Sequence, residues 1–424
     1  MQKRLQAGLS TTLIFIACSG TALAAPSSYT PIGPNIGYGD SSNPNSLYSA
    51  LANPANNDLN AADIEGSRYG LGAAAQIQAE TDGLEDSKDF LDDQIKPILD
   101  RNDYEDAELL QEEVNKFLRR YDRGNFSAIG GATVPLIIKN DVLGGGISFD
   151  YTHQRASKGE VIRKDDVSAT LRGTDIGLES GDAAIAIHYK ELDEFALGYG
   201  RSIIDNNHGR LSVGVTARYL GLLSNARAID LSEIADDNLG AKDKDTGDYI
   251  DDIDSGSSES GITADIGINW TSENYMIGLV GMNLNSPEFD VQDKSTGNAN
   301  TAFAIEDKFE LEAQYRLNAQ WFSQNRNWTL AGSLDLQEAN DLNDEETQWW
   351  TISASYATST WYVPDVRLGL RGNLAGSEYT YGTLGLTLGF LTMDVASTTT
   401  DFSGVADDQE DAGIMASVGV EFDF

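Results

Sequence analysis

The chain has 424 residues, 40% hydrophobic and 23% charged, with 29 Lys and Arg against 67 Asp and Glu, one Cys and three His, giving a formal charge of −38. That acidity argues against nucleic-acid binding through a general basic surface, because phosphate contacts need clustered Lys and Arg. So few Cys and His leave little room for a disulfide framework, a Cys-based metal site or a His-centred reaction.

Residues 1–24 read as a secretory signal. Lys3 and Arg4 supply the positive start, Leu9 to Ala17 the apolar middle, and Ala22-Leu23-Ala24 a small-x-small cleavage site before Ala25. The apolar stretch is too short to span a bilayer as a helix. Cys18 raises the alternative of a lipoprotein, but Phe15 fits such signals poorly and the alanine site follows cleanly. Cleavage would remove the only cysteine and take the charge to −40, since Lys3 and Arg4 leave with it. Some 400 remaining residues allow two or three soluble domains or one large barrel. No later segment offers an uninterrupted apolar helix, so a membrane protein here would have to span with strands.

Residues 25–66 are rich in Pro, Gly, Asn and Ser and read as an irregular extension, a candidate plug. Tyr69, Leu71, Ala73, Ala75 and Ile77 then alternate with small or polar residues, as in a strand. Between 82 and 122 the period changes to a helical one. Leu84, Leu91, Ile95 and Ile98 mark one apolar stripe, and Ala107, Leu110, Val114, Phe117 and Leu118 another, with Pro97 and Asn102-Asp103 near the break. Arg119-Arg120 suits a helix C-terminus. The pattern predicts a helical hairpin, either a solvated pair packed on itself or a plug or periplasmic docking element.

Strand alternation resumes downstream. Leu211, Val213, Val215, Ala217 and Tyr219 share one face; so do Ile262, Ala264, Ile266, Ile268 and Trp270; so do Phe309, Leu311, Ala313, Tyr315, Leu317 and Trp321. Val366, Leu368 and Leu370 follow, then Leu384, Leu386, Leu388 and Phe390. The opposite faces place Arg218, Asp265, Glu310, Glu312, Arg316, Arg367 and Arg371 toward a lumen. Short polar turns at 205–209, 271–274 and 324–327 contrast with longer loops at 225–260 and 285–303. Trp270, Trp321, Trp328, Trp349, Trp350, Trp361 and Tyr362 sit near strand ends and would suit an interfacial girdle. The last eleven residues, Ile414 to Phe424, alternate strictly and finish on an aromatic, as the closing strand of an outer-membrane barrel does. The candidates number about 14 strands.

Chemistry-bearing motifs are sparse. Asp243, Asp245, Asp248, Asp251, Asp252 and Asp254 resemble a calcium loop, but Gly247 and Asp248 depart from the EF-hand pattern. Gly144-Gly145-Gly146 lacks the Gly-Lys-Ser/Thr ending of a phosphate loop. His153, His188 and His208 lie in or beside strands without a serine motif, so no catalytic, cofactor or metal residues are assigned and no enzyme is expected.

Gly37-Tyr38-Gly39-Asp40, Ser46 to Ala50 and Asn53-Pro54-Ala55, with the helical insertion, Phe195 to Gly200, Val213 to Leu220, Asp265 to Ile268 and Gly278 to Leu284, resemble an outer-membrane family of conjugal transfer protein TraF. The Asn-Pro-Ala segment and the Gly-x-Asn-Leu strand end also resemble the long-chain fatty acid transporters, FadL-like barrels of 14 strands with an N-terminal plug. These resemblances imply an all-β transmembrane barrel over 67–424 whose extension enters the lumen. The function expected is a porin-like channel or binding barrel for small solutes, hydrophobic ones among them. The alternative is a membrane-anchored accessory of a conjugal transfer or envelope complex. A third reading is a secreted soluble β-rich protein. Expected partners are outer-membrane lipid and lipopolysaccharide of a Gram-negative bacterium, the barrel-assembly machinery, a small solute, and a periplasmic protein through residues 82–122.

Overall fold

A computed structural model describes residues 32–33, 36–38, 46–59, 68–95, 97–98, 107–140, 142–172, 175–178, 183–231, 255–295, 303, 305, 307–358, 360, 362–398 and 412–423. The signal segment with Cys18, the acidic run 243–254, Trp361 and Phe424 lie outside these residues.

Fourteen antiparallel strands form one closed wall. They are β1 (Arg68–Asp82), β2 (Asn125–Asn140), β3 (Gly145–Arg163), β4 (Ala183–Asn206), β5 (Gly209–Asp230), β6 (Glu259–Thr271) and β7 (Tyr275–Met282), followed by β8 (Gln314–Phe322), β9 (Trp328–Asp335), β10 (Trp349–Tyr356), β11 (Asp365–Asn373), β12 (Thr380–Leu388), β13 (Leu391–Thr398) and β14 (Ala412–Asp423). Each wall strand pairs with its neighbours in the chain, and β1 pairs with β14 to close the ring, Gly70 opposite Asp423 and Thr81 opposite Ala412. Closure leaves no unpaired edge, the condition for strands to stand in hydrocarbon. No helix among the described residues is long and apolar enough to cross a membrane.

The alternation read from sequence decides which way each side chain points. On β1, Tyr69, Leu71 and Ile77 are exposed, while Gln76, Gln78 and Glu80 are buried. On β6, Ile262, Ile266 and Ile268 face out, and Thr263, Asp265 and Asn269 face in. The order is inverted relative to a soluble protein, apolar outside and polar inside. It is stable only with lipid around the wall. Aromatics border this band at the turn side, where Trp321 is exposed and the Trp328 and Tyr356 rings lie 4.9 Å apart. Trp349 does not join them. Its parity on β10 is inward, and it lies buried with the Arg371 guanidinium 4.1 Å over its ring.

One expected run is split. Phe309 belongs to a separate ladder, Lys308–Glu310 against Glu288–Asp290, and points inward with Leu311. The chain then changes phase before β8, where Gln314 and Arg316 are inward and Tyr315 outward. Glu310 is therefore exposed rather than luminal, and Glu312 sits in the break, accepting a bond from the Asn340 N–H at 3.0 Å.

The wall has two unlike ends. Short turns at 141–144, 207–208, 272–274, 323–327, 357–364 and 389–390 share one end; the connections 83–124, 164–182, 231–258, 283–313, 336–348, 374–379 and 399–411 share the other. The helical insertion is on the long-loop end. It contains a short helix at Ser87–Phe90, a π-turn at Leu91–Ile95, and a longer helix at Ala107–Arg120. Both predicted apolar stripes meet: Leu91, Ile95 and Ile98 pack with Leu110, Val114, Phe117 and Leu118 over Val161, Val167 and Ala183 of the barrel rim. Arg119 Nε donates to Asp166 at 3.0 Å, and this bond holds the Asp166 carboxyl below its ordinary range. The insertion is thus fastened to the barrel as well as to itself.

Candidate functional site

The described residues of the N-terminal extension lie inside the turn-side part of the lumen. Ser49–Ala52 and Asn56–Leu59 form two short helices, labelled α1 and α2, joined through Asn53-Pro54-Ala55. Asn53 Oδ1 accepts the Ala55 N–H at 3.0 Å, an Asx-type turn that Pro54 suits because its ring fixes φ. Asn56 Nδ2 donates to the Ser49 carbonyl at 2.8 Å and stitches the two helices together.

This turn can sit against the wall because the wall has been cleared of side chains there. A Cβ on Gly214 would come within 2.2 Å of the Pro54 carbonyl carbon, one on Gly200 within 2.5 Å of the Pro54 oxygen, and one on Gly146 within 2.2 Å of the Asn57 oxygen. Polar contacts then fix the register. Asn53 Nδ2 donates to Asn269 Oδ1 at 3.3 Å, the Asn269 amide donates to Asn56 Oδ1, and Ser212 Oγ donates to Asp58 Oδ2 at 2.8 Å. Arg210 Nε lies 3.1 Å from Asp58.

The other wall holds the preceding residues. Glu421 on β14 accepts from Ser46 Oγ at 2.6 Å and from the Leu47 N–H at 2.8 Å, and Tyr48 Oη donates to the Val420 carbonyl at 3.0 Å. Farther up the sequence, Tyr38 Oη donates to Ser355 Oγ at 2.8 Å beneath the Arg367 guanidinium. The described part of the extension is therefore bonded to both sides of the ring.

Charge in the lumen is mostly paired. Arg218 lies 2.5 Å from Asp265 and 3.3 Å from Glu194; Arg316 lies 2.5 Å from Asp335, and Arg367 2.6 Å from Asp394. Buried ion pairs of this kind fill and rigidify a lumen more than they stabilise it. Of the luminal groups expected from alternation, Arg218, Asp265, Arg316, Arg367 and Arg371 are inside, whereas Glu310 and Glu312 are not.

Above the plug the lumen becomes apolar. Ile32 and Tyr48 of the extension, Ile129, Leu192, Leu220 and Met282 of the wall, and Phe289, Phe309, Leu311 and Leu342 of the long loops form one buried cluster. Below it, a polar cavity of about 230 Å³ lined by Tyr38, Arg326, Ser355, Asp365, Arg367 and Glu421 opens at the turn end. The loop 336–348, called the strap below, folds inward over the apolar layer as a hairpin, with Ala339 opposite Thr347 and Asn340 opposite Glu346. The sequence alone does not mark this strap. Its Asp-rich turn between two strands was the available signal, but such a turn reads equally as a solvated loop.

His153 meets Asp193 and Glu191 on the outer face of β3 and β4, the grouping of metal-ligand type among the described residues. Each of the three already has partners: His153 Nδ1 is 3.0 Å from Asp193, Tyr151 Oη donates to Asp193 at 2.6 Å, and Arg155 Nε is 3.3 Å from Glu191. His188 and His208 stand apart from this group, and the acidic run 243–254 lies outside the described residues.

No curated protein matches the chain. Among solved structures it is similar to the toluene transporter TodX of Pseudomonas putida, at 10% identity over 95% of this chain and 99% of that one, with a TM-score of 0.43. It is also similar to the monoaromatic hydrocarbon channel CymD, at 12% identity over 94% and 98% with a TM-score of 0.42. A Pseudomonas aeruginosa FadL homologue shares 9% identity over 95% and 99%, with a TM-score of 0.34. The family described as F plasmid transfer operon, TraF, protein matches residues 50–335, from α1 of the plug through β9, and the chain belongs to that family.

Proposed function

We propose that the protein is an outer-membrane transport barrel, exported after loss of residues 1–24, that passes small hydrophobic solutes from the long-loop face toward the periplasm. The observation carrying this reading is the apolar layer between plug and strap. A barrel serving only as an anchor gains nothing from an apolar belt inside a polar lumen. A water-filled pore for sugars or ions would be obstructed by one. The layer is built largely by the plug and the loops, and these are the parts that can move while the wall stays closed. In barrels of this type short turns face the periplasm and long loops the exterior. The plug then enters from the periplasmic end.

The test is uptake into proteoliposomes, with radiolabelled naphthalene as probe and glucose as polar control. Faster naphthalene entry than in protein-free vesicles, with glucose unchanged, supports the reading. Equal rates with and without protein would sink it.

A second reading, a membrane-anchored interaction protein of a transfer or envelope complex, draws on the insertion. Its helices are ordered on the rim and project on the long-loop end. By the same orientation rule, a partner gripping residues 82–122 would be met from outside the cell. Under that orientation an external partner suits the segment better than a periplasmic one, because β1 crosses the wall before the insertion begins. Deleting 82–122 should abolish capture of such a partner while the barrel still migrates as a folded species before boiling. Lipopolysaccharide and the assembly machinery complete the proposed partners.

A further inference from the structure

The strap leaves the wall between β9 and β10 and ends on the other side of the ring. Going round the barrel, β2, β3 and β4 stand nearly opposite β9 and β10. The strap tip nevertheless reaches all three. Asp344 pairs with Lys190 of β4, whose side chain is 2% exposed. Glu345 lies 3.4 Å from Lys158 Nζ of β3 and accepts from Ser127 Oγ of β2 at 3.4 Å. Between the anchors, Leu342 is buried in the apolar layer, and Lys190 Nζ stands 4.2 Å over the Phe309 ring. A loop bonded at both ends of a diameter lies across the path through the barrel.

The tip is shaped for this contact. Asp341 Oδ1 accepts the N–H groups of Asn343 at 2.7 Å and Glu345 at 3.1 Å, and Thr347 Oγ1 donates to the Ala339 carbonyl at 3.1 Å. These bonds are internal to the strap, so it can swing as a unit. Among the described residues, the contacts with Lys158, Lys190 and Ser127 tie the tip to the far wall, while the Asn340 N–H bond to Glu312 and the Asn373 Nδ2 bond to the Glu346 carbonyl hold its near side.

We infer that residues 336–348 are the constriction that closes the lumen, latched across the barrel by Asp344 on Lys190 and Glu345 on Lys158, and that breaking this latch opens the path. The inference rests on the transport reading for its purpose, but the latch itself is a statement about closure. Two features make it a latch. The Lys190 ammonium is desolvated, so it holds Asp344 strongly while the strap is down, and a buried charge left alone is costly. Lys158 is less deeply buried than Lys190, at 15% against 2%, and its pair with Glu345 is open to competition from salt.

Planar-bilayer recording of the full chain tests it, with folding checked by gel mobility before and after boiling. Wild type should be mostly closed at low salt. D344N/E345Q changes only the strap and leaves the wall lysines in place. It should raise open probability about tenfold or more, the scale expected when a buried pair loses one partner. K158M should give a smaller rise, and high salt should move wild type the same way. A charge exchange, K190E with D344K, should close the channel again. Unchanged conductance in D344N/E345Q, together with a large increase when 337–347 is replaced by a short Gly-Ser turn, would mean that the strap closes the path without the latch. Unchanged conductance in both, with a folded barrel, would mean the strap is not the constriction. Ion conductance and naphthalene uptake are separate readings. Uptake by wild type that no strap variant alters would overturn this inference and spare the transport reading. Conductance in the variants without uptake in any would do the reverse.

Discussion

Gly214 and Pro54 occupy neighbouring space so closely that the wall residue has no room for a side chain: a Cβ there would fall 2.2 Å from the Pro54 carbonyl carbon and 2.5 Å from the Ala55 nitrogen. The obstacle is backbone, which cannot rotate away as a side-chain tip can. Gly214→Val should therefore dislodge the Asn-Pro-Ala turn while leaving the β5 ladder intact. Over-packing of this sort typically costs about 1–3 kcal/mol. The expected result is a folded barrel in which protease added from the periplasmic side cleaves residues 46–59 faster than in wild type. Protection equal to wild type would mean that the plug is not seated on Gly214.

The outward face gives a second prediction. Leu368 of β11 is 58% exposed, between Ala354 on β10 and Leu384 on β12. If lipid covers it, Leu368→Arg should destabilise the inserted barrel by about 2–4 kcal/mol, the cost of Arg near the midplane of a barrel's lipid face. Unfolding by guanidinium in phospholipid vesicles reads this directly. A neutral effect would argue that the face is wet.

These two sites also mark what could be read without coordinates. Leu368 was assignable because period-two alternation fixes the face of a strand residue, and Arg218, Asp265, Arg316, Arg367 and Arg371 followed by the same rule. The rule holds only while the strand is unbroken. It failed at Glu310, where the chain leaves one ladder and enters another in the opposite phase, so that inward positions change from odd to even. The inward glycines were harder. Gly146, Gly200 and Gly214 break no alternation, and their meaning depends on a segment some 90 to 160 residues earlier in the chain coming to rest on them. The strap was least legible, because its partners, Lys158 and Lys190, lie on strands far away in sequence and look like ordinary rim charges.

The pair Arg367–Asp394 supplies a third prediction. Their side chains are 4% and 0% exposed, and Gly37 N donates to the same carboxylate at 3.5 Å, so the pair joins β11, β13 and the plug. Asp394→Ala leaves a buried guanidinium without its carboxylate and should cost about 3–5 kcal/mol, whereas Arg367→Met with Asp394→Leu removes both charges and should cost far less. The temperature at which the compact gel form disappears measures both. Equal losses in the two variants would assign the effect to packing rather than to charge.

The last prediction concerns pH and the strap. Burial first, and then the neighbouring Glu345 charge, raise the Asp341 carboxyl from its ordinary 3.8 to about 8, against the bonds donated by the Glu345 and Asn343 N–H groups. The same burial raises Glu345, with Lys158 opposing. A carboxyl raised in the folded state favours folding in its protonated form. Its contribution is fully present below the ordinary value, declines as pH rises, and is lost once pH passes about 8. The strap should therefore be tightest in mild acid and loosen in mild alkali. Between about pH 5 and about pH 9, hydrogen exchange corrected for its intrinsic pH dependence should show protection of 336–348 falling while that of the β9 and β10 ladders stays constant. Asp341→Asn keeps the Oδ1 acceptor and removes the titration, so its profile should be flatter, with Glu345 supplying what slope is left. A wild-type profile as flat as that variant's would show that Asp341 does not govern the strap. Protection that rises with pH would mean that the Lys158 and Lys190 pairs outweigh the buried carboxyls, and the strap would then be a device that closes in alkali.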